Sequence, residues 1–304
     1  DIGDCDVLFG VKEVPVESLI PNKTYFFFSH TIKKQAHNRA LLQGLLAKNV
    51  NFYDHETIVD EKNNRLIGFG YYAGMVGVYN SIRAFGIKFE LFKLPKAETL
   101  SGKEDLIRQL KRIILPPIKF VVTGKGKVGN GVKEILDAIK VKSVTIDNYL
   151  TKKYTQPVYT QIDALDYNIR KDKIVLDKTD FYKNPKDYES NFERFAKVSD
   201  IVITAHFYAN EAPQIISREM LQSKDCKIKI VADISCDING SIACTLRTST
   251  IEEPFYGYLP IENKEVDRQQ EKHCCEPVFL KAVQDDGDER EHPHSKVIRL
   301  IALD

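Results

Sequence analysis

Apolar runs separated by polar turns give the first third of the chain a strand–helix–strand order. The runs that predict strands are Cys5–Val11, Lys23–Ser29, Val50–Tyr53 and, less regularly, Arg65–Phe69. Leucines at helical spacing predict a helix over Lys33–Lys48, which Asn49 ends. Strand, helix and strand in this order predict a parallel α/β layer.

Helical segments and a pair of prolines mark the middle of the chain. A glycine-rich turn opens a predicted helix over Gly74–Lys88, and the charge-dense segment Leu94–Leu115 predicts another. The second helix stops at Pro116–Pro117, because proline has no N–H with which to continue a helix. We therefore predict a first domain over residues 1–93 and a helical linker over residues 94–117.

The second half of the chain again alternates strands with helices. Its predicted elements are strand Ile118–Thr123, helix Val128–Ile139 and strands Ser143–Ile146, Asp200–Ala205 and Lys227–Ile234. The polar, tyrosine-rich stretch Thr151–Val198 predicts an insertion into a second domain over residues 118–260. Residues 261–304 form an atypical polar tail. The predicted fold class is α/β, with two domains built on parallel sheets.

Composition narrows the class of protein. The chain has 304 residues, 43% of them hydrophobic, which suffices for two well-packed cores. A formal net charge of +1 excludes a basic nucleic-acid arm and attachment to membranes by charge. No apolar run approaches the roughly 18 residues of a membrane helix. Six cysteines without a CxxC pair indicate thiols in a reducing compartment, so we expect a cytoplasmic protein.

The start of the chain lacks two familiar signals. The only methionines are Met75 and Met220, and the first residues show no basic region followed by an apolar stretch, as a signal peptide would. We expect that a segment precedes Asp1. The protein would be mitochondrial if that segment carried a transit peptide.

The strongest chemical signal is a glycine motif between a strand and a helix. Gly124, Gly126 and Gly129 form G-x-G-x-x-G directly after an apolar strand. The first glycine permits a tight turn, the second lets backbone approach a pyrophosphate, and the third allows close packing of helix and strand. The helix start at Lys127 and Val128 offers free N–H groups and a positive dipole end. The motif predicts a dinucleotide-binding domain. Together with the parallel α/β layer predicted for the first domain, it predicts two Rossmann-like domains.

An acid after the next predicted strand indicates which dinucleotide binds. Asp147 lies 23 residues after Gly124, where a carboxylate accepts hydrogen bonds from ribose hydroxyls. The same charge would repel the 2′-phosphate of NADP, so NAD is the expected cofactor. Lys152 and Lys153 lie just beyond and keep NADP as the alternative.

Two ionisable residues at strand ends suggest acid–base chemistry. Lys12 in GVKEVP and His30 in FFFSHTIKKQ each follow a predicted strand. Ligands bind at the carboxyl ends of parallel strands, so these side chains would share proton transfer. On the pattern alone, a solvated lysine and a structural histidine remain the commoner interpretation.

Seven sequence blocks, in one order, resemble a known family. They are GVKEVP, YFFFSHTIKKQ, YDHE, NNRLIGFGYYAG, the glycine motif, VADISCDINGSI and TSTIEEPFYGY. Together they resemble the lysine-forming saccharopine dehydrogenases and the related lysine–ketoglutarate reductase domains of the alanine dehydrogenase–transhydrogenase superfamily. The resemblance implies an NAD(P)-dependent oxidoreductase that acts on a CH–NH group. The implied reaction converts saccharopine, NAD and water to lysine, 2-oxoglutarate and NADH.

The resemblance also implies roles for individual residues. Lys12 and His30 would be the catalytic acid–base pair. The residues implied to contact the substrate are Gln35, Glu56, Arg65, Phe69, Ser235, Cys236 and Asp237. Among them, Arg65 suits a forked pair of hydrogen bonds to a substrate carboxylate. The residues implied to contact the cofactor are Gly126, Lys127, Asp147, Thr151 and Ile234.

Departures from the family pattern keep alternatives open. The family has an additional amino-terminal segment with an R-x-E motif and an Asp-Leu-Pro turn near the carboxyl end, and this sequence matches neither. The alternatives are an alanine dehydrogenase-like enzyme with a smaller substrate and a cofactor-binding remnant without turnover. His273, Cys274 and Cys275 are poor zinc ligands without a second cysteine pair, so no metal is expected. We expect a small-molecule amino-acid substrate, no nucleic-acid or membrane partner, and a monomer or homodimer.

Overall fold

The strands and helices fall into two units, Asp1–Phe69 and Gly70–Asp304. The computed structural model describes residues 2–34, 38–63, 65–174, 177–208, 211–266 and 298–302. The predicted division, a first domain to residue 93 and a linker to residue 117, lies later than the observed one. The difference arises because the helix that follows Phe69 belongs to the core of the second unit.

The first unit is a parallel α/β layer. Its strands are β1 (Val7–Phe9), β2 (Thr24–Phe27) and β3 (Asn51–Asp54), which pair in that order and run parallel. Helix α1 (Arg39–Ala47) connects β2 to β3. Leu41 and Leu45 of α1 share a buried core with Tyr25 and Phe27 of β2. The predicted strand–helix–strand order is confirmed.

The opposite face of this sheet carries a row of stacked rings. Phe9, Phe26 and Tyr53 are neighbours in strand register and lie on one face, because side chains alternate along a strand. The Phe9 and Phe26 ring centroids are 4.4 Å apart, and those of Phe26 and Tyr53 are 4.7 Å apart. Such cross-strand pairs stabilise the register that brings the three carboxyl strand ends to one edge.

The helix of the first unit is shorter than predicted. His30 and Lys34 both have φ 55°, and this left-handed backbone encloses a 3-10 turn at Thr31–Lys33, so no α-helix begins at Lys33. The helical end is as predicted, with Asn49 in the left-handed conformation (φ 50°) common just after a helix.

Arg65–Phe69 forms no strand among the described residues. Arg65 makes a single antiparallel bridge with Val59, and the residues after it continue without regular structure to the helix at Gly70. At the end of this stretch, the ring of Phe69 packs against the ring of Phe28, with centroids 5.9 Å apart.

The second unit is built on a large, mostly parallel sheet. Its strands are β4 (Lys119–Thr123), β5 (Lys142–Ser143), β6 (Val158–Ile162), β7 (Asn168–Arg170), β8 (Tyr188–Ser190), β9 (Ile201–Thr204), β10 (Ile230–Asp233), β11 (Tyr256–Leu259), β12 (Lys264–Val266) and β13 (Ile298–Ala302). The sheet order is β12-β11-β13-β10-β9-β4-β6-β5, and β7 pairs separately with β8. Strand β11 is antiparallel to β12 and β13, and the other described pairs of the large sheet are parallel.

Helices cover both faces of this sheet. They are α2 (Gly70–Lys88), α3 (Lys103–Leu110), α4 (Lys127–Ala138), α5 (Ile146–Thr151), α6 (Ala164–Tyr167), α7 (Lys178–Lys183), α8 (Glu193–Ala196) and α9 (Arg218–Gln222). On β4, Phe120 and Val122 lie in the core with α2 and α4, whereas Val121 lies in the core on the other face. A parallel sheet buried on both faces is the predicted α/β class. Within the described part of the chain, no helix has the length and apolar character needed to cross a bilayer.

Helix α2 packs backbone to backbone against α4. A Cβ added to Gly74 would collide with the carbonyl oxygen of Val128, and one added to Gly131 would collide with the carbonyl oxygen of Tyr71. Two glycines facing each other's helix thus allow an approach that any side chain would prevent. This contact makes α2 part of the second unit, whereas the sequence had placed it in the first.

The predicted linker is also part of the second core. In place of one helix over Leu94–Leu115, the chain forms a 3-10 turn at Ala97–Thr99 and the shorter α3. Gly102, with φ +146°, separates the two. Leu106 and Leu110 of α3 are buried in the same core as α2. Residues 94–117 therefore cover the sheet and do not link two domains.

The predicted insertion and tail both contain strands of the large sheet. β6 lies within the expected insertion at 151–198, yet it pairs with the central strand β4 over its whole length. The inserted part is thus shorter and consists of α6, β7, α7, β8 and α8. In the expected tail, β12 forms an edge of the sheet and β13 lies between β10 and β11. Strand periodicity is too weak in such short segments to have revealed them.

Candidate active site

The glycine motif forms a tight turn between β4 and α4. Gly124 has φ +84°, which strains any residue with a side chain, and a Cβ there would lie 2.6 Å from the carbonyl oxygen of Ala205. A Cβ at Gly129 would collide with the carbonyl oxygen of Gly124. The same oxygen accepts a hydrogen bond of 2.9 Å from Nε2 of Gln161. The turn is therefore fixed by packing on both sides.

Gly126 differs from its two neighbours because the space beside it is open. A Cβ built on Gly126 meets no described heavy atom within 4 Å. Gly126 is the N-cap residue of α4, and no side chain in the described chain caps this helix end. The first N–H groups of a helix, here those of Lys127, Val128 and Gly129, have no carbonyl partner within it. The residues present therefore fit the pyrophosphate of a dinucleotide.

The turn lies at a switch point of the sheet. From β4 the chain passes to β6 on one side and later to β9 on the other. Thr123, Ile162 and Thr204 are matched in register as the last residues of these three strands. The loops after such strands diverge and leave a crevice, in which ligands of doubly wound sheets bind.

Asp147 does not end a strand, contrary to the sequence prediction. β5 stops at Ser143, and Asp147 lies in the first turn of α5, with Thr151 in its last turn. The helix begins here because Thr145 acts as its N-cap, with its Oγ1 accepting from the N–H of Asn148. The N-cap and first turn of α5 thus stand where the end of the strand was predicted.

Helix α5 leads away from the glycine turn. Nζ of Lys119, the first residue of β4, donates to the carbonyl oxygens of Tyr149 (2.5 Å) and Lys152 (2.8 Å) at the end of α5. The glycine turn lies at the opposite end of β4. The position of α5, near the start of β4, therefore does not support the expected ribose contacts from Asp147 and Thr151.

The acid that does end a strand beside β4 is Asp163, which sequence reasoning missed. It follows β6 directly and caps α6, and its Oδ1 accepts from the N–H of Ala164 at 2.8 Å. Nζ of Lys178 forms an ion pair with its other oxygen. Burial acts to raise the pKa of Asp163, but these bonds and the charge of Lys125 outweigh it, so the pKa lies below its usual value. The signal in the sequence was the apolar run PVYTQI before Asp163.

The loop after β10 begins at a buried carboxylate. Asp233 is 1% exposed, and its oxygens accept hydrogen bonds of 2.6 Å from the hydroxyls of Thr204, Ser235 and Thr245. Sγ of Cys236 donates to the carbonyl oxygen of Asp233. A buried carboxylate with this many donors holds the start of the loop firmly.

The loop residues named by the sequence lie together at this sheet edge. Ile234, whose N–H donates to the carbonyl oxygen of Thr204, comes first, followed by Ser235, Cys236 and Asp237. Cys236 has φ 55°, and a Cβ at Gly240 would come within 2.7 Å of Asp237. The loop is therefore tightly folded beside the carboxyl ends of β9 and β10.

In the first unit, candidate catalytic residues gather at the carboxyl edge of the sheet. Lys12 follows β1 and is exposed, His30 follows β2, and Glu56 follows β3. Nδ1 of His30 lies 3.3 Å from Oε2 of Glu56, close enough for an ion pair but not aligned for a hydrogen bond. Nη2 of Arg65 donates to Oε1 of Glu56 at 3.0 Å. The structure therefore brings His30, Glu56 and Arg65 together.

Further predicted residues lie nearby or outside the described chain. Phe69 is exposed and packs edge-on against Phe28. Gln35 lies outside the described residues, as do His273, Cys274 and Cys275. Elsewhere in the described chain, no group of three or more metal-ligating side chains comes together.

A buried serine–aspartate pair supports this edge, and the sequence had not singled it out. Oγ of Ser29 donates to Oδ2 of Asp54 at 2.5 Å, and the N–H of Glu56 donates to Oδ1 at 2.9 Å. Asp54 thus fixes the residues before His30 and the backbone of Glu56 at once. The available signal was that Ser29 and Asp54 directly precede the ionisable residues in the blocks SH and DHE.

Comparison with known proteins finds relatives in sequence. Residues 115–261 match the family model described as alanine dehydrogenase/PNT, C-terminal domain. The chain is 28% identical over 305 residues to the alpha-aminoadipic semialdehyde synthase of Arabidopsis thaliana, which covers 88% of the chain. It is 28% identical over 302 residues to the mitochondrial enzyme of the same name from Bos taurus, which covers 85%.

A shorter relative shows lower identity. The saccharopine dehydrogenase [NAD(+), L-lysine-forming] of Yarrowia lipolytica is 22% identical over 247 residues, which cover 76% of the chain and 57% of that protein. The match spans only 29% of the Arabidopsis thaliana protein and 32% of the Bos taurus protein.

Proposed function

We propose that the chain is part of a nicotinamide-dependent oxidoreductase that acts on the CH–NH group of an amino acid, because residues 115–261 match the alanine dehydrogenase/PNT C-terminal domain model. The proposed reaction is of the saccharopine dehydrogenase type. It would convert saccharopine, NAD and water to lysine, 2-oxoglutarate and NADH. The relatives named above, with semialdehyde synthase and saccharopine dehydrogenase activities in their names, support this substrate class.

The observation that carries the proposal is the open space at Gly126. Gly124 and Gly129 are enclosed by protein atoms, whereas the Cβ direction of Gly126 is empty. No described neighbour would collide with a side chain at this position. A glycine here is explained if a ligand must approach the backbone closely. The uncapped start of α4 supplies N–H donors and positive potential at the same place, which suits a pyrophosphate.

Asp163, in place of Asp147, is the proposed acid for the cofactor ribose. It ends the strand beside β4, where a carboxylate accepts from ribose hydroxyls and selects NAD. NAD is therefore the proposed cofactor. NADP is the second candidate, because the ammonium of Lys178 already pairs with Asp163 and the charge of Lys125 acts on it as well. Two cations beside one acid would favour a 2′-phosphate.

We assign proton transfer to Lys12 and His30. The bound cofactor would supply the acceptor for a hydride. Lys12 would take the proton of the secondary amine and later assist hydrolysis of the imine. His30 would move the protons of water and of the carbinolamine. The buried carboxylate of Glu56 lies 3.3 Å from Nδ1 and would hold the His30 ring in place.

Arg65 is the proposed anchor for a substrate carboxylate. One of its nitrogens is bonded to Glu56, and the side chain is 53% exposed, so its other donors face outward. A guanidinium in this position binds carboxylates through a fork of two hydrogen bonds. Phe69 and Gln35, together with Ser235, Cys236 and Asp237, are proposed as further substrate contacts.

Two assays separate this proposal from its alternatives. NADH or NADPH formation by this chain would be followed at pH 7 to 10 with saccharopine and, separately, with L-alanine. Turnover with saccharopine supports the proposal, and turnover with alanine alone supports an alanine dehydrogenase-like enzyme. Binding of NADH without turnover of either substrate supports a cofactor-binding remnant. Absence of both binding and turnover would overturn the proposal.

The cellular compartment and the assembly are proposed as in the sequence analysis. A cytoplasmic location is proposed, and a mitochondrial location, as in the name of the bovine relative, is the alternative. Cell fractionation with an antibody to this chain distinguishes the two. Sedimentation separates monomer from homodimer.

A further inference from the structure

His206 occupies a central position at the sheet edge of the second unit. It follows β9 by one residue, and a Cβ on Gly124 would lie 2.9 Å from its Cα, so its backbone supports the glycine turn. Its ring nitrogens contact hydroxyl groups of two different segments. Nδ1 lies 2.7 Å from Oγ1 of Thr123, and Nε2 lies 3.1 Å from Oγ of Ser241.

One tautomer of the His206 ring satisfies both contacts. In it, Oγ1 of Thr123 accepts from the N–H of Ala205 at 3.2 Å and donates its own hydrogen to Nδ1 of His206. Nε2 then carries the proton and donates to Ser241. Burial lowers the pKa of His206 to about 4, which agrees with a neutral ring that accepts at one nitrogen and donates at the other.

Ser241 is the far end of the loop that Asp233 holds at its start. The side chain of Ser241 is buried, and its carbonyl oxygen accepts from the N–H of Ile215 at 2.8 Å. That backbone bond attaches Ser241 to the segment at Ile215, not to β4. The link from Ser241 to β4 runs through the ring of His206.

We infer that His206 is a positioning residue, which ties the end of β4 to Ser241 and so keeps the loop 235–240 beside the glycine turn. The inference rests on the proposed function for its catalytic meaning, because that loop carries the proposed substrate contacts. The hydrogen-bonded link itself is a property of the protein alone. It can therefore be tested without cofactor or substrate.

The thiol of Cys236 reports on the position of this loop. The test measures its rate of modification by N-ethylmaleimide, resolved by peptide mass spectrometry, in the full chain and its variants. Ser241→Ala and Thr123→Val remove the two hydroxyls that the ring contacts. Each should raise the rate at Cys236 at least about fivefold, the change expected from loss of one buried hydrogen bond. The buried Cys226 serves as the internal reference, because its rate reports global opening.

Conservative and matched variants separate positioning from general destabilisation. Thr123→Ser keeps the hydroxyl and should restore a rate within about twofold of the wild type. Thr160→Val removes a hydroxyl equally buried in the neighbouring strand β6, without touching His206, and should leave the rate unchanged. In turnover assays, Ser241→Ala should raise the KM for the amino-acid substrate more than it lowers kcat.

Three results would overturn the inference. One is an unchanged rate at Cys236 in both folded variants. Another is an equal rise at Cys236 and Cys226, which would mean general unfolding. The third is a wild-type rate equal to that of the urea-unfolded chain, which would mean that the loop is not held. Failure of NADH to bind, with the thiol results as expected, would refute the proposed function and leave the positioning role intact.

Discussion

Oε2 of Glu56 lies 3.3 Å from Nδ1 of His30, in a carboxylate side chain that is only 2% exposed. A buried carboxylate requires partners, and Glu56 has two, since Nη2 of Arg65 donates to its other oxygen. The charge of Glu56 therefore acts on the histidine proposed for proton transfer. The Asp54 carboxylate accepts from the backbone N–H of Glu56, so the position of Glu56 beside His30 is fixed by the fold of the first unit.

Replacing Glu56 by glutamine tests this relationship. Glu56→Gln keeps the shape of the side chain but removes the carboxylate that faces the His30 ring, so kcat should fall at least about tenfold. The measurement is steady-state turnover with saccharopine, the proposed substrate. Glu61→Gln, at an exposed position of the same unit, is the matched control and should retain wild-type kcat. Equal activity of the two variants would contradict a role for Glu56 in the reaction.

The acid–base pair makes a separate prediction. Lys12→Met and His30→Gln should each leave cofactor binding intact and lower turnover by roughly 10²-fold or more, the usual scale for positioned acid–base groups. Each variant should also lose one limb of the pH–rate profile. The double variant should lose less than the product of the single losses, because the residues act as a unit. Lys62→Met, an exposed lysine in the same unit, serves as the control.

The outcome for each residue is independent of the other. Near-normal turnover together with an unchanged pH profile in one single variant would remove that residue from the mechanism. Loss of NADH binding in either variant would point to a folding defect and would be checked by circular dichroism.

Cofactor choice is predicted to depend on Asp163 and not on Asp147. Asp163→Asn preserves the N-cap of α6, because asparagine caps as well as aspartate, but removes the charge that opposes a 2′-phosphate. The ratio of NADH to NADPH affinity, measured by fluorescence titration, should shift toward NADPH. Asp147→Asn, at an exposed position on α5, should leave the ratio unchanged. A shift in the Asp147 variant alone would restore the original assignment.

Local patterns predicted the glycine turn well because the signal is contained in six adjacent residues. The strand before Gly124, the helix after Gly126 and the close packing at Gly129 all lie where the motif indicates. The parallel order of the first unit was equally readable, since its strands are apolar and are followed by ionisable residues. Lys12, His30 and Glu56 reach one edge for that reason.

Pairing between distant strands could not be read from the sequence. The sequence favours Asp147 because it follows the next apolar run along the chain, but the strand that pairs with β4 is the later β6. The sheet order depends on which strands fit together in three dimensions, not on their order in the sequence. The same reason hid Asp163, His206 and the packing of α2 against α4.

The stability of the chain should depend on His206 at acid pH. Burial lowers its pKa from 6.5 to about 4, so the folded state binds fewer protons than the unfolded state between these values. Stability from this residue is present above about pH 6.5 and is lost as the pH falls toward 4. Urea unfolding at pH 7.0 and 4.5 should show a smaller loss in His206→Gln than in the wild type. An equal or larger loss in the variant would contradict a neutral His206 with a lowered pKa.

The central claim is that the turn at Gly126 binds the pyrophosphate of a nicotinamide dinucleotide, and one titration tests it most directly. NADH fluorescence would be followed on addition of wild-type chain, Gly126→Val and the matched control Gly68→Val, whose Cβ direction is equally empty. We predict that Gly126→Val weakens binding at least tenfold, or about 1.4 kcal/mol, because its branched side chain fills the space the phosphates require. Gly68→Val should bind as the wild type does. Unchanged NADH affinity in a folded Gly126→Val protein, or no binding by the wild type to NADH or NADPH, would contradict the account.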